Sequence, residues 1–198
     1  MIFGSHNSLT YLTPKTLKMK LLNFHYKCQN KNLIDQIKSG VHVLDIKVRF
    51  DEENNLYVTN GKWESKNRYI FDDFINIILD TIHIHRIDND DMYIYLTLDT
   101  DDVFLRQEIN FIQFVNKFKN KIGDDNIFLM GGHRSCDNEK IILTINDELI
   151  VEPIAGVDKR TRLYERICPR WFAKRMNETN KKMWGRVTEK TICLFDYV

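Results

Sequence analysis

The chain has 198 residues, of which 43% are hydrophobic and 29% charged, and its formal net charge is +1. This size and composition predict one globular domain over residues 1–198. A net charge so close to zero gives no indication of whole-molecule attraction to nucleic acid or to a membrane. The four cysteines are widely spaced, which favours reduced thiols. Because no apolar stretch reaches the ~18 residues of a membrane span and no signal-peptide pattern opens the chain, we expect a cytoplasmic protein or one peripheral to a membrane.

The first third of the chain predicts three strands and one helix. The helix shows apolar residues on one face and ends at Gly40, and the strand that follows alternates between apolar and polar residues. In chain order the segments are a strand over 2–5, an irregular basic stretch over 15–27, a helix over 32–39, a strand over 41–50 and a strand over 56–58.

The rest of the chain continues with helices and strands in alternation. The apolar positions of residues 72–85 fall on one side of a helix, which is typical of a helix packed on a sheet. The predicted segments are a helix over 72–85, a strand over 92–98, a helix over 104–122, a strand over 126–130, short strands over 141–145 and 149–151, a partly helical region over 158–186 and a closing strand over 191–195.

Repeated strand–helix–strand order predicts right-handed crossovers and a largely parallel sheet. Polar residues follow strands one to five and the last strand, which is where a parallel barrel gathers its catalytic groups. An open doubly wound sheet would also place a crevice there. Since seven or eight strands are predicted, we favour a distorted or incomplete TIM (β/α)8 barrel.

Several side chains at the predicted strand ends are candidates for chemistry. His6 follows the first strand, although a lone histidine is more often structural. Asp45 and Lys47 are two positions apart on one strand and therefore share a face, either as functional groups or as a simple ion pair. Asp99 and Arg134 follow the fourth and fifth strands.

Two further features of the sequence narrow the range of functions. The commonest nucleotide-binding and acyl-transfer motifs are absent from the sequence. Residues 159–190 contain eleven Lys and Arg against three Glu, with aromatic residues between them. Such a segment is either a solvated helix face or a contact for an anionic membrane or a phosphate backbone.

Three segments together resemble a known family. They are S-H-N-S at residues 5–8, K-C-Q-N-K-N-L-I-D-Q-I-K-S-G-V-H-V-L-D-I-K-V at 27–48 and L-Y-V-T-N-G at 56–61. This order resembles the X domain of phosphatidylinositol-specific phospholipase C. The segments Y-L-T-L-D at 95–99, P-R-W-F-A-K-R-M-N at 169–177 and I-C-L-F-D-Y-V at 192–198 resemble its fourth-strand acidic segment and the end of its bacterial single-domain members.

The resemblance implies a distorted TIM barrel that cleaves an inositol phospholipid by acid–base catalysis. The inositol 2-hydroxyl would attack the neighbouring phosphorus and release diacylglycerol and a cyclic inositol phosphate. His6 would be the general base, oriented by Asp196, and Asp45 would belong to the acid–base network. Lys47 falls where bacterial members carry an arginine, so that its ammonium would stabilise charge on the phosphate oxygens.

The same resemblance has consequences for metal binding and for substrate contacts. A lysine does not ligate calcium, so Lys47 favours a site that needs no cofactor or metal. The alternative is a Ca²⁺ ion near Asn7, Asp45 and Asp99. Asp99 and Arg134 are predicted to contact the substrate from their positions at strand ends.

Asn60 departs from the family pattern. The second family histidine, which protonates the leaving group, falls on this position, and an amide cannot deliver a proton at neutral pH. Two functions therefore stay open: an active or impaired phospholipase C-like phosphodiesterase, and a catalytically inactive relative that binds phosphoinositides or other phosphate ligands. Both functions predict peripheral contact with a membrane surface, and neither predicts nucleic acid as a partner.

Overall fold

The computed structural model describes residues 2–87, 90–99, 105–123, 126–134, 140–143, 174–175, 177–178, 192–195 and 198. Within these residues helices and strands alternate along the chain. The elements are β1 (Ile2–Ser5), α1 (Leu17–Leu21), α2 (Asn23–Tyr26), α3 (Leu33–Lys38), β2 (Val43–Phe50), β3 (Leu56–Asn60), β4 (Trp63–Glu64), α4 (Phe71–His85), β5 (Met92–Leu98), α5 (Leu105–Lys121), β6 (Ile127–Arg134), β7 (Lys140–Leu143) and β8 (Ile192–Phe195).

The strands form a mixed sheet with a parallel centre. β8, β1, β2, β5 and β6 run parallel to one another in that spatial order, and β7 joins β6 in the antiparallel direction. β3 and β4 continue from β2 as antiparallel strands. In the described part of the chain the sheet stays open between β7 and β8, so the architecture is a distorted, incomplete barrel.

One edge of β2 is shared by two strands, and this sharing creates the space for a site. β1 pairs with residues 43–44 at the start of β2, and β3 pairs with residues 48–50 at its end. Residues 45–47 lie between these two pairings. The chain leaves β1 at this level, immediately beside Asp45.

The sheet buries apolar side chains on both faces. Leu44, Ile46 and Val48 of β2 belong to the larger core, which includes the buried faces of α4 and α5. Alternate positions face the other way and form a smaller cluster, made of Val43, Tyr93, Met130 and Leu194. Asp45 and Lys47 alternate with the larger-core residues and therefore lie on the same face as this smaller cluster.

Most predicted elements before residue 135 are confirmed, with shifts of a few residues at their ends. Asn32 caps α3 by accepting the backbone N–H of Asp35 (2.9 Å), as the predicted helix start requires. The predicted apolar face of α4 is buried at Phe74, Ile75, Ile78, Leu79 and Ile82. The predicted strand at 149–151 and most of the region 158–186 lie outside the described residues.

Two features differ from the sequence-based prediction. The basic stretch over 15–27 contains the short helices α1 and α2, although it was predicted to be irregular. β3, β4 and β7 are antiparallel, so the sheet is less parallel than predicted. Among the described residues, no helix is both long and apolar enough to cross a membrane.

Gly4 of β1 provides a test of how closely β1, β2 and β8 pack together. A Cβ atom at this position would lie 2.7 Å from Leu194 Cδ2 and 2.8 Å from Val43 Cβ. Gly4→Ala should therefore lower the free energy of unfolding by about 1–3 kcal/mol through overpacking, measured as a lower urea midpoint at unchanged slope. Gly123→Ala is the matched control, because a Cβ there meets no atom within 4 Å. Equal stability of the two variants would contradict this close approach of β1, β2 and β8.

Candidate active site

The end of β1 is tied to Asp45 by two hydrogen bonds. The backbone N–H of Asn7 donates to Asp45 Oδ2 (2.9 Å), and the backbone N–H of Ser8 donates to the Asp45 carbonyl (2.7 Å). Asn7 has a positive φ of 48°, a conformation that asparagine tolerates better than most residues. This turn brings His6 and Asn7 over the open part of the β2 edge.

His6 lies beside Asp45 with its imidazole partly exposed. Its Nε2 atom is 3.8 Å from Asp45 Oδ2 and accepts a hydrogen bond from Asn7 Nδ2 at 3.0 Å. Because an amide N–H only donates, this contact assigns the neutral tautomer with the ring proton on Nδ1. In that tautomer Nε2 can accept a proton, with a carboxylate nearby to stabilise the resulting charge.

Asp45 is a buried carboxylate, with a relative exposure of 2%. Its Oδ2 atom accepts the Asn7 N–H, whereas Oδ1 is buried without a hydrogen-bond partner. Tyr95 occupies the paired position on β5. Burial, followed by the nearby Asp45 charge, raises the pKa of Tyr95 above its ordinary value, so the phenol keeps its proton.

Lys47 supplies the positive charge of this face. It lies two residues after Asp45 on β2 and is half-buried. Within the part of the chain that the structure describes, its ammonium makes no ion pair or hydrogen bond. A half-buried cation in this position favours an anionic ligand.

Asn60 ends β3 and lies on the other side of the Cys28 sulfur from Asn7. Its Nδ2 atom donates to the Tyr26 carbonyl (2.7 Å) and contacts Cys28 Sγ at 3.6 Å. The same sulfur accepts from Asn7 Nδ2 at 3.3 Å. Cys28 therefore connects the β1 end to the β3 end.

Asp99 holds the β3 end against the sheet. Its Oδ2 atom accepts the Thr59 hydroxyl (2.7 Å) and the Gly61 N–H (2.8 Å), the two residues that flank Asn60. Arg49 lies beside it, with its Nε atom donating to the Asp99 carbonyl. The carboxylate thus has a positioning role, and its predicted contact with substrate stays a prediction.

Two other predicted site residues are described only in part or not at all. Arg134 is the last residue of β6, and its side chain lies outside the description. Asp196 also lies outside the described residues, although Phe195 directly before it is described. The Phe195 carbonyl accepts the backbone N–H of His6 at 2.9 Å, so β8 ends beside the imidazole-bearing residue.

Gln29 also belongs to the candidate site, although no sequence pattern predicts a role for it. It is fully buried, and its Nε2 atom donates to the carbonyls of His6 (3.0 Å) and Phe195 (2.8 Å). Its Oε1 atom accepts the Val198 N–H at 3.1 Å. One side chain therefore fixes the ends of β1 and β8 together from a loop.

The residues present do not fit the calcium alternative. Asp99 Oδ2 is taken up by Thr59 and Gly61, and the described residues contain no group of three His, Cys, Asp or Glu side chains able to hold a metal. The Lys47 ammonium shares the face of Asp45, where it repels a divalent cation. The set Asn7, Asp45 and Asp99 is therefore a poor calcium cage.

The fold is similar to that of bacterial phosphatidylinositol-specific phospholipases C. A point mutant of the Staphylococcus aureus enzyme matches with a TM-score of 0.65 over 99% of this chain and 84% of that chain, at 16% identity. The Listeria monocytogenes enzyme matches with a TM-score of 0.64 over 99% and 87%, at 12% identity. A second S. aureus mutant matches over 70% of this chain and only 50% of that chain, with a TM-score of 0.50 and 19% identity.

The remaining comparisons found nothing: no protein-family model and no curated protein sequence matches the chain. The structural likeness nevertheless confirms the prediction of a phospholipase C-like, distorted barrel. At these identities it is a likeness of fold.

Gln29 is the most direct test of how the strand ends are held. Gln29→Leu removes the three hydrogen bonds that the Gln29 side chain makes to the His6 carbonyl, the Phe195 carbonyl and the Val198 N–H, so we expect the free energy of unfolding to fall by about 3 kcal/mol. Urea denaturation measures this loss. Gln113→Leu on the exposed side of α5 is the control, and its effect should stay within about 0.5 kcal/mol. A Gln29→Leu variant as stable as the parent would contradict the assignment.

Proposed function

We propose that this chain is a phosphodiesterase that cleaves an inositol phospholipid in the manner of phosphatidylinositol-specific phospholipase C. The observation that carries the proposal is the position of the His6 imidazole beside the buried Asp45 carboxylate, with Lys47 two residues further along the same strand. A general base and a fixed cation are what attack of a hydroxyl on a phosphodiester requires.

The reaction follows from these groups. The inositol 2-hydroxyl takes the place of the Asn7 amide at His6 Nε2 and gives its proton to that atom, and the hydroxyl oxygen attacks the adjacent phosphorus. Asp45 stabilises the imidazolium, while the Lys47 ammonium offsets the charge that gathers on the phosphate oxygens. The cyclic inositol phosphate and a diacylglycerol leave as products. In the proposal, Asp196 orients His6 from the strand that Gln29 ties to it.

A second candidate function is binding without turnover, and Asn60 favours it. Its amide is engaged with the Tyr26 carbonyl and carries no transferable proton. Lys47 and the unpartnered Asp45 and Asn7 oxygens still provide recognition of an inositol phosphate. Multiple-turnover release of cyclic phosphate by the unaltered chain would rule out this candidate.

Contact with a membrane surface is supported by the segment that precedes the site. Leu17 and Leu21 on α1 are 74% and 70% exposed, and Lys18 and Lys20 between them are exposed as well. Apolar and basic side chains on one short helix fit an anionic bilayer. α1 leads through α2 to Tyr26, which contacts Asn60, so a lipid held here lies close to the site.

The activity is tested by following the product with phosphorus NMR. We expect the parent chain to form a cyclic inositol phosphate, and His6→Ala to lower the rate by about 10²–10⁴, the usual contribution of a general base. His83→Ala, on the exposed side of α4, should leave the rate unchanged. Full activity in His6→Ala would contradict the assignment of the base.

The membrane contact is tested by partitioning onto vesicles of anionic phospholipid. The double variant Leu17→Ser/Leu21→Ser should bind at least about tenfold more weakly, since each buried leucine contributes roughly 1.5–3 kcal/mol. Ile84→Ser is the control, because Ile84 is similarly exposed (72%) but lies at the end of α4. Equal binding by both variants, or no binding by the parent, would contradict a lipid contact at α1.

A further inference from the structure

The Cys28 thiol lies between the two asparagines of the site. Its Sγ atom is 3.3 Å from Asn7 Nδ2 and 3.6 Å from Asn60 Nδ2, and it lies 3.6 Å from the Tyr26 carbonyl. It is a free, partly exposed cysteine. Its backbone is fixed as well, because the Cys28 N–H donates to Thr10 Oγ1 at 2.9 Å.

Asn7 connects this thiol directly to the proposed base. The two protons on its Nδ2 atom reach different acceptors, His6 Nε2 at 3.0 Å and Cys28 Sγ at 3.3 Å. Asn7 is only 3% exposed, and its Oδ1 atom is buried without a partner. A buried acceptor that lacks a partner points to a ligand group that donates a hydrogen bond next to the thiol and the imidazole.

The proposed reaction needs a second proton transfer that His6 does not make. When the bond from phosphorus to the leaving oxygen breaks, that oxygen carries a negative charge and must be protonated. Asn60 has no proton to give. Among the described residues Tyr95 is a neutral acid near Asp45, but its raised pKa makes the phenol a poorer donor.

We propose that the Cys28 thiol is the proton donor to the leaving oxygen, an inference that rests on the phosphodiesterase function proposed above. The S–H bond, which otherwise lies near the Tyr26 carbonyl, breaks as its proton moves to the departing alkoxide. The N–H groups of Asn7 and Asn60 then stabilise the negative sulfur.

The step balances in atoms and charge. One phosphorus–oxygen bond forms to the inositol 2-oxygen as the bond to the leaving oxygen breaks. The hydroxyl proton ends on His6 Nε2, and the thiol proton ends on the leaving alcohol. The imidazolium proton then returns to the thiolate through solvent, which restores both groups for the next cycle.

Substrates with different leaving groups separate this role from a packing role. One substrate is an inositol phosphodiester with an alkyl alcohol as leaving group, which needs protonation. The other is the same diester with 4-nitrophenol, which leaves readily as an anion. Cys28→Ala should lower kcat/KM for the alkyl ester by about 10²–10⁴ but change it for the nitrophenyl ester by less than about threefold.

Two further variants distinguish loss of the proton donor from misfolding and from loss of side-chain volume. Cys28→Ser keeps the shape of the side chain but is a much weaker acid, so it should be slow on the alkyl ester and normal on the nitrophenyl ester. Adding Asn60→His to Cys28→Ala supplies an imidazole at the same site, and it should recover part of the rate on the alkyl ester.

The outcomes distinguish the two proposals. If the parent chain cleaves both esters but Cys28→Ala slows both equally or neither, the thiol is not the donor and the phosphodiesterase proposal stands. Full rescue of the alkyl ester by Cys28→Ser would likewise overturn the donor role. If the parent chain cleaves neither ester, the proposed function fails and the donor role fails with it.

Discussion

The site depends on the way in which the end of β1 is anchored to the middle of β2. Asp45 accepts the backbone N–H of Asn7 through its side chain and that of Ser8 through its carbonyl. These contacts exist because β1 and β3 share one edge of β2 and leave residues 45–47 uncovered between them. A carboxylate in this gap both directs the chain and supplies the charge beside His6. Structure and chemistry therefore use the same residue.

A second layer of contacts comes from residues 26–29, the end of α2 and the start of the loop that follows it. The Tyr26 carbonyl binds Asn60, the Cys28 sulfur meets both asparagines, and the Gln29 side chain fixes the ends of β1 and β8. Asp99 completes the frame by holding the residues on either side of Asn60. These hydrogen bonds together fix the ends of β1, β3 and β8. Lys47 is left as a cation that no described group neutralises.

Much of the fold could be predicted from local patterns. α4 and β5 have clear periods of apolar residues, and α3 is marked by Asn32 at its start and Gly40 after its end. The antiparallel direction of β3 could also have been found, since five residues after β2 are too few for a crossover. The helix α1 gave no signal because a run of five residues is too short to show a helical period.

The candidate site was predictable only where polar side chains lie on a strand or directly after one. His6 stands at such a position, Asp45 and Lys47 share one face of a predicted strand, and the structure brings Asp45 within 3.8 Å of the imidazole. Gln29 and Cys28 were missed because they act from a loop. Gln29 contacts a carbonyl 166 positions away in the chain, and no local pattern encodes such a contact. Asp99 was predicted from its strand-end position, yet its carboxylate contacts Thr59 and Gly61.

An NMR titration with myo-inositol 1-phosphate determines whether the end of β1, the middle of β2 and the end of β3 bind one anion together. We predict saturable shifts in the backbone amide signals of His6, Asn7, Lys47 and Asn60, and these shifts should be lost in Lys47→Met. Saturable shifts confined to other parts of the chain, or no shifts at millimolar ligand, would contradict this prediction.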